Sequence, residues 1–391
     1  MRTRPSTSPT SSRRRVAAAV GLAAVLAAVP ASPALAATWS VVPTPNATSD
    51  RNQFTAVDGL SPTAAWAVGY AETGATPYTR PLVARWNGNT WSLTATPPLQ
   101  NAATLNGVDG SGTTNVWAVG SAGSSTLTER WDGTAWSVVP SATPPGATDA
   151  TLRAVKTLAA NDAWAVGDAA VPSGTFQRRT LITHWNGTTW TIVPSPSPDP
   201  TQNLLVAVDG TSPNDLWAVG NLGHDGYGGD TVAGMMLHWN GSTWTRASIP
   251  GSDALFSIIN LHDLVAVATD NVWVVGGAFH RQLFRWVPYV LHWNGTQWQH
   301  GTIPNAPTGD FRGVTALSAT QVYAVGRTGG SGTLVARWNG TTWSQESTPP
   351  AGDFNVLLDA TASSTGTVIA VGSQYNSSYI GRTLALHTSN G

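Results

Sequence analysis

The chain contains no cysteine, which removes disulfides, thiol nucleophiles, cysteine-ligated zinc and iron–sulfur clusters by count alone. Lysine is nearly absent too: Lys156 is the single one, and glutamate occurs only at Glu72, Glu129 and Glu346. With charged residues at 10% and apolar residues at 41%, the 391-residue chain lacks the polarity of a disordered segment and calls for a packed core. Long polar helix formers are scarce, whereas 40 glycines, 26 prolines and 19 tryptophans supply turns and strands. There is no Gly-x-Ser-x-Gly elbow, no His-Glu-x-x-His, no phosphate-binding P-loop and no strand–Gly-x-Gly–helix unit, so the common hydrolase and nucleotide-binding signatures are missing.

The longest apolar run, Val16–Val29, has 14 residues, too few to span a bilayer. It follows five arginines in the first 15 positions and precedes the small residues Ala34-Leu35-Ala36, the pattern of a secretory signal peptide over residues 1–36. Arg13-Arg14-Arg15 fits either a twin-arginine export motif or an ordinary basic leader. Residues 37–391 are then the mature domain, expected outside the cytoplasm without a membrane span. Those five arginines come from 20 basic residues in all, so the remainder carries 15 against 21 acidic groups, which argues against nucleic acid as a partner. The alanine-rich, lysine-poor composition suggests a high-GC bacterium.

Internal repetition decides the fold. Trp-Ala-Val-Gly begins at Trp66, Trp117, Trp164 and Trp217 and recurs in altered form at Trp273, Tyr323 and Ile369, a pitch of about 50 residues. A large apolar residue stands twelve positions earlier each time, from Phe54 and Leu105 through Leu357. A second marker, Trp-Asn-Gly-x-x-Trp, starts at Trp86, Trp185, Trp239, Trp293 and Trp338, with Trp131-Asp132-Gly133 as its variant. Asn-Gly between apolar runs is a strong hairpin signal, because both residues tolerate positive φ. Each unit reads as four short strands. The seventh copy stops after Leu384-Ala385-Leu386-His387 and lacks its fourth strand, which Thr38-Trp39-Ser40-Val41 at the start of the mature chain resembles. The expectation is an all-β, seven-bladed β-propeller of four-stranded blades, closed by the N-terminal strand completing the last blade. Of the tryptophans, only Trp286 falls outside the repeat positions.

The two markers resemble those of tandem-repeat secreted propellers of actinobacteria, and the likeness runs the whole length of the mature chain. The chain is also similar to Asp-box and photosystem-assembly-factor propellers, but the Ser-x-Asp-x-Gly-x-x-Trp turn is absent and only the Gly-x-x-Trp spacing survives. The functional parallel is the lectin-propeller subunit of Streptomyces umbrella toxin particles. That resemblance implies a carbohydrate or cell-surface glycan as ligand and an adaptor protein of a secreted assembly as partner. It carries over no individual residue.

Loop length separates the two faces of such a ring. The interval from marker glycine to hairpin tryptophan varies between 11 and 19 residues, while the turn before the marker strand and the hairpin itself are fixed in length. Recognition is expected on the variable face. Three loops there carry unusual chemistry: His224, Asp225 and Tyr227 in blade four, His280, Arg281 and Trp286 in blade five, and Tyr375 and Tyr379 in blade seven. Trp286 reads as a stacking platform for a sugar ring assisted by His280 and Arg281, or as an anchor for a long loop. His224, Asp225 and Asp230 have metal-ligating chemistry but equally suit a polar, glycine-rich loop, and neither a metal nor an organic cofactor is assigned. The groups preceding the hairpin tryptophans, Arg85, Arg130, His184, His238, His292, Arg337 and His387, could form seven equivalent sugar sites, but are expected to make inter-blade hydrogen bonds and cation–π contacts with neighbouring tryptophans. Asp263 and Asp359 sit on the inner strands where other blades have Ala or Gly, and read as satisfied channel carboxylates or as an acid–base pair. Two function classes stay open: a non-catalytic lectin-like propeller, and a secreted polysaccharide lyase or glycoside hydrolase on the same scaffold.

Overall fold

The computed structural model describes residues 38–389 apart from 173–175, 224–232, 251–254 and 379. Its strands form seven antiparallel four-stranded sheets. In blade one the innermost strand is Asn52–Ser61, followed outward by Ala64–Glu72, Thr79–Trp86 and Trp91–Leu93. Blades two to six repeat this order, ending at Val138, Ile192, Ala247, His300 and Glu346. Blade seven comprises Phe354–Ala362, Val368–Tyr375 and Gly381–Ser389, and Thr38–Val41 pairs with the last of these, Trp39 opposite Thr388 and Val41 opposite Leu386.

Because each sheet is covered on both faces, apolar burial is not gathered in one place. The core consists of seven clusters, each drawing on two adjoining blades. The Trp-Ala-Val-Gly strand is buried at every position of its motif, as a strand packed on both sides must be. Its tryptophan lies against the hairpin tryptophans of the following blade: Trp66 against Trp131 and Trp136 with ring centroids 4.8 and 5.1 Å apart, and Trp117 against Trp185 and Trp190 at 4.9 and 5.0 Å. The same three-ring contact recurs from Trp164, Trp217 and Trp273. Such aromatic pairs add about 0.5–1.5 kcal/mol each beyond the area they bury.

The marker glycine has a steric cause. The inner strand carries a β-bulge opposite it in every blade, as between Phe54 and Ala56 or between Leu205 and Ala207. The bulge swings a carbonyl over the glycine, so that a Cβ on Gly69 would stand 2.0 Å from the Gln53 oxygen, and one on Gly220 would stand 1.8 Å from that of Leu204. Only a residue without a side chain fits.

In the Trp-Asn-Gly-x-x-Trp turns only the glycine uses the tolerance of positive φ. Gly88, Gly133, Gly187, Gly241, Gly295 and Gly340 take positive φ, but the residues before them do not. The Asn87 side chain instead accepts the N–H groups of Asn89 and Thr90 at 2.9 and 2.8 Å, and Asn186, Asn240, Asn294 and Asn339 do the same. Four residues separate the paired tryptophans, so an Asx turn rather than a two-residue turn closes the hairpin.

Candidate functional site

Pairing between the two innermost strands of blade one starts at Asn52 with Ala71 and ends at the Ser61–Ala64 turn, which places that turn and the Trp-Asn-Gly hairpins on one face of the ring. The variable connections and the links between blades share the opposite face. Of the residues singled out in sequence, His224, Asp225, Tyr227, Asp230 and Tyr379 lie outside the described residues.

The blade-five segment is shorter as a loop than expected. Strands Asn271–His280 and Arg285–Trp293 stay paired to their ends, with Phe279 opposite Trp286 and His280 opposite Arg285, so only Arg281–Phe284 turns. Trp286 is therefore a half-buried strand residue, edge-on to Phe279 with 6.1 Å between ring centroids. The aromatic pair extends the ladder, which is the physical reason the loop contracts. His280 Nδ1 accepts the Leu283 N–H at 3.3 Å, and Arg281 donates to the Leu255 and Phe256 carbonyls at 2.9 and 3.1 Å. The three residues bracket a tight tip from which Phe284, at φ 49°, projects into solvent.

Tyr375 has richer surroundings. Its hydroxyl donates to Gln53 Oε1 at 3.1 Å and accepts from Arg51 at 2.8 Å, tying blade seven to blade one. The Arg51 guanidinium lies 5.3 Å from the centroid of the Tyr375 ring and 5.6 Å from that of Tyr70. On either side of Ile380 the surface is hollowed. A 560 Å³ hollow is lined by Asp50, Arg51, Glu72 and Tyr78, and a 260 Å³ one by Asp353, Gln374, Tyr375 and Arg382. Tyr78 is 66% exposed. Arg51, Gln53 and Tyr70 escaped sequence reasoning, because they gather around Tyr375 only once the ends of the chain come together, and Tyr78 because it shares a hollow with Ile380 only then.

Asp263 and Asp359 open into the axial channel, a cavity of 310 Å³. Each accepts a backbone N–H of the next blade at 2.8 Å, from Val314 and Val57 respectively. Asp58, Asp109 and Asp209 make the same kind of tie, to Gly110, Thr157 and Ala266. Burial pushes the carboxyls of Asp58 and Asp263 well above their ordinary range, with Asp109 and Asp359 respectively adding repulsion. Burial also raises Asp359 to about 7 and Asp109 to about 6, the latter against the pull of Lys156. The Lys156 ammonium stands 2.7 Å from Asp209 and 4.0 Å from Asp109, and Asp209 above all drives its pKa upward. Asp58, Asp109, Lys156 and Asp209 all stand eight residues before their marker tryptophan, a column visible in the repeats once they are aligned. Among the described residues no group of three or more His, Asp or Glu is arranged to hold a metal ion.

Of the donors beside the hairpin tryptophans, Arg85, Arg130 and His387 make the expected contacts across a seam, and three histidines instead pack within their own blades. Arg85 and Arg130 each lie 5.5 Å from the marker ring of their own blade and 5.9 Å from a hairpin ring of the next. His184, His238 and His292 lie against Trp164, Trp217 and Trp273 at 4.3, 4.3 and 4.0 Å, and His387 meets Trp86 at 4.6 Å. His184, His238 and His292 thus stay within their own blades, with Nε2 2.8, 2.7 and 2.9 Å from Asp162, Asp215 and Asn271, whereas Arg85, Arg130 and His387 reach across a seam.

No protein-family model and no curated protein matches the chain. Solved structures do match. YCF48 bound to a D1 peptide superposes with a TM-score of 0.55 at 14% identity, over 92% of this chain and 99% of the other. YCF48 from Cyanidioschyzon merolae gives 0.53 at 16%, over 90% and 98%. A PL25 polysaccharide lyase, an ulvan lyase bound to a GlcA–Rha3S saccharide, gives 0.51 at 10%, over 85% and 95%. At such identities the likeness is one of architecture: this chain is a seven-bladed β-propeller similar in fold to a peptide-bound propeller and to a saccharide-bound one.

Proposed function

We propose that the chain is an exported, non-catalytic carbohydrate-binding propeller whose glycan site is the cleft at the seam of blades seven and one. The observation that carries this reading is the pair of hollows flanking Ile380, where the exposed Tyr78 shares a wall with Asp50 and Glu72, and Tyr375 with Asp353, Gln374 and Arg382. An aromatic ring offers its face to the C–H groups of a sugar, and flanking carboxylates and amides bind hydroxyls in pairs. The cleft lies on the face that carries the variable loops, where recognition is tolerated without disturbing the scaffold. The structurally similar ulvan lyase is bound to a saccharide, which is consistent with carbohydrate recognition on this scaffold.

A glycan array followed by calorimetry on the purified protein tests the proposal. At least one carbohydrate should bind, and Tyr78→Ala together with Arg382→Ala should weaken it by about tenfold or more, the equivalent of ~1.4 kcal/mol. No carbohydrate ligand, or binding indifferent to both substitutions, would overturn the site. Appearance of new reducing ends or unsaturated products on incubation with polysaccharides would overturn the non-catalytic assignment in favour of a lyase or hydrolase. The resemblance to toxin-particle lectin subunits adds a targeting role in a secreted assembly to the proposal. Stoichiometric partners recovered from culture supernatant would support that role, and a solely monomeric species would count against it.

A further inference from the structure

The axial channel has a second end that the acidic ties do not use. On the variable-loop side, eleven residues before the marker, the inner strands present Thr55, Asn106, Arg153, His262 and Arg312 to the same cavity. Arg153 belongs to blade three and Arg312 to blade six, so they approach the channel from nearly opposite walls of a seven-membered ring.

Both arginines are clamped from behind. Arg153 Nε donates to the fully buried Asp168 at 2.7 Å, and Asp168 is further held by Arg178. Arg312 meets Asp310 at 2.5 Å, and Asp310 also takes Arg327 at 3.0 Å and lies 3.6 Å from His262. Burial opposes ionisation of Asp310, yet His262, Arg312 and Arg327 together hold its carboxyl down at about 2, so it stays charged as an anchor. Burial also lowers the pKa of His262, which leaves a neutral ring with a hydrogen-bonding nitrogen. Each carboxylate engages one edge of its guanidinium. The remaining donors of Arg153 have no partner among the described residues, and Arg312 Nε is buried without one. A guanidinium is a planar fork matched to carboxylate, sulfate and phosphate oxygens, and clamping removes most of the entropy that a free arginine loses on binding.

We infer that the variable-loop mouth of the axial channel is an anion-binding site, in which Arg153 and Arg312 grip a carboxylate or sulfate group of a ligand and His262 and Asn106 complete the collar. Its position on the axis is separate from the cleft between blades seven and one, so it stands whether or not that cleft binds glycans. The shared chemistry is an oxyanion. A uronic or sulfated saccharide, a peptide chain terminus and an inorganic ion can each supply it.

Calorimetry in chloride-based buffer of low ionic strength distinguishes them, with a galacturonate trisaccharide, a short peptide with a free C-terminal carboxylate, the same peptide as its amide, and sodium sulfate as probes. At least one anionic probe should bind with a dissociation constant of about 1 mM or tighter, and the amide should not bind. Salt at about 0.5 M should weaken the interaction, as the Debye length falls to a few ångströms. The double variant Arg153→Gln/Arg312→Gln should lose at least about tenfold in affinity, because paired charge-assisted bonds disappear. Asp168 keeps Arg178 and Asp310 keeps Arg327, so both carboxylates retain a cationic partner in that variant. Should it nevertheless fail to fold, Arg153→Lys/Arg312→Lys retains the charge without the fork and should still bind more weakly than the parent. Binding of the saccharide alone assigns a uronate or sulfated glycan, binding of the peptide alone a chain terminus, and binding of sulfate alone an inorganic ion. No binding by any probe, or equal binding by the parent and both double variants, would overturn the inference.

Discussion

The indole N–H of Trp39 donates to Glu346 Oε2 at 2.7 Å, joining residues 307 positions apart in the chain. Trp39 belongs to the first strand and Glu346 to the last strand of blade six, so the bond crosses from the sixth blade to the piece of the seventh supplied by the chain's beginning. Trp39 is 5% exposed and lies edge-on to Tyr323, standing where the hairpin tryptophans stand in the other blades.

Replacing Trp39 by Ala should therefore lower stability by about 3–5 kcal/mol, the usual range for emptying a buried tryptophan site. Glu346→Ala should lower it by about 1–3 kcal/mol, by stranding the indole N–H. Urea unfolding followed by tryptophan fluorescence measures both. A Trp39→Ala protein as stable as its parent would show that the seventh blade does not need this strand.

The bulge opposite each marker glycine predicts an equally sharp contrast. Gly220→Ala, whose Cβ would sit 1.8 Å from a carbonyl oxygen, should destabilise by about 3 kcal/mol or more, at the upper end of overpacking costs. Gly112→Ala, with nothing within 4 Å, should change stability by no more than about 0.5 kcal/mol. Melting temperatures of the two variants decide the matter.

Glu129 is fully buried, and among the described residues neither of its carboxyl oxygens has a hydrogen-bond partner. Burial lifts its pKa from 4.5 to about 7. The folded state thus holds a proton that the unfolded state releases first. The associated stability is complete below pH ~4.5 and is lost as pH rises through ~7, a change on the order of 3 kcal/mol. Glu129→Gln should flatten this slope and make the protein more stable than its parent at pH 8, as unfolding in urea at pH 4.5 and pH 8 will report.

His387 works in the opposite sense. Burial depresses its pKa to about 4, and its Nε2 lies 3.4 Å from the indole nitrogen of Trp91. The unfolded chain takes up the proton first as the medium acidifies, so stability falls between pH ~6.5 and ~4, again by an amount on the order of 3 kcal/mol. His387→Gln should resist acid better than the parent even if it is weaker at neutral pH. A thermal-shift series over that range is the measurement.

The scaffold was legible because its determinants are local and repeated: Trp66, Trp117, Trp164 and Trp217 announce the same strand each time, and the Asn-Gly turns announce the same hairpin. Blade five shows where locality fails. His280–Trp286 reads as a loop by composition, yet the facing of Phe279 and Trp286 across two strands keeps it paired almost to its tip. The cleft was legible only at Tyr375. Arg51 lies 324 residues away from it, and nothing in either neighbourhood signals the meeting. Lys156 aligns with Asp58, Asp109 and Asp209 as a column eight residues before the marker, but the column does not announce a ring, since inward orientation depends on the bulge that precedes it.

Six of the seven seams seat an aromatic ring of one blade against a tryptophan of the next, but the marker position of blade seven is Ile369, and there the titratable ring of His387 meets Trp86 instead. The two hollows around Ile380 open at that same junction. A guest lodged in them would act as a rivet through the joint where the circle was sewn shut, raising the heat needed to part it. Acid pulls on the same joint from the other side, and so works against the rivet.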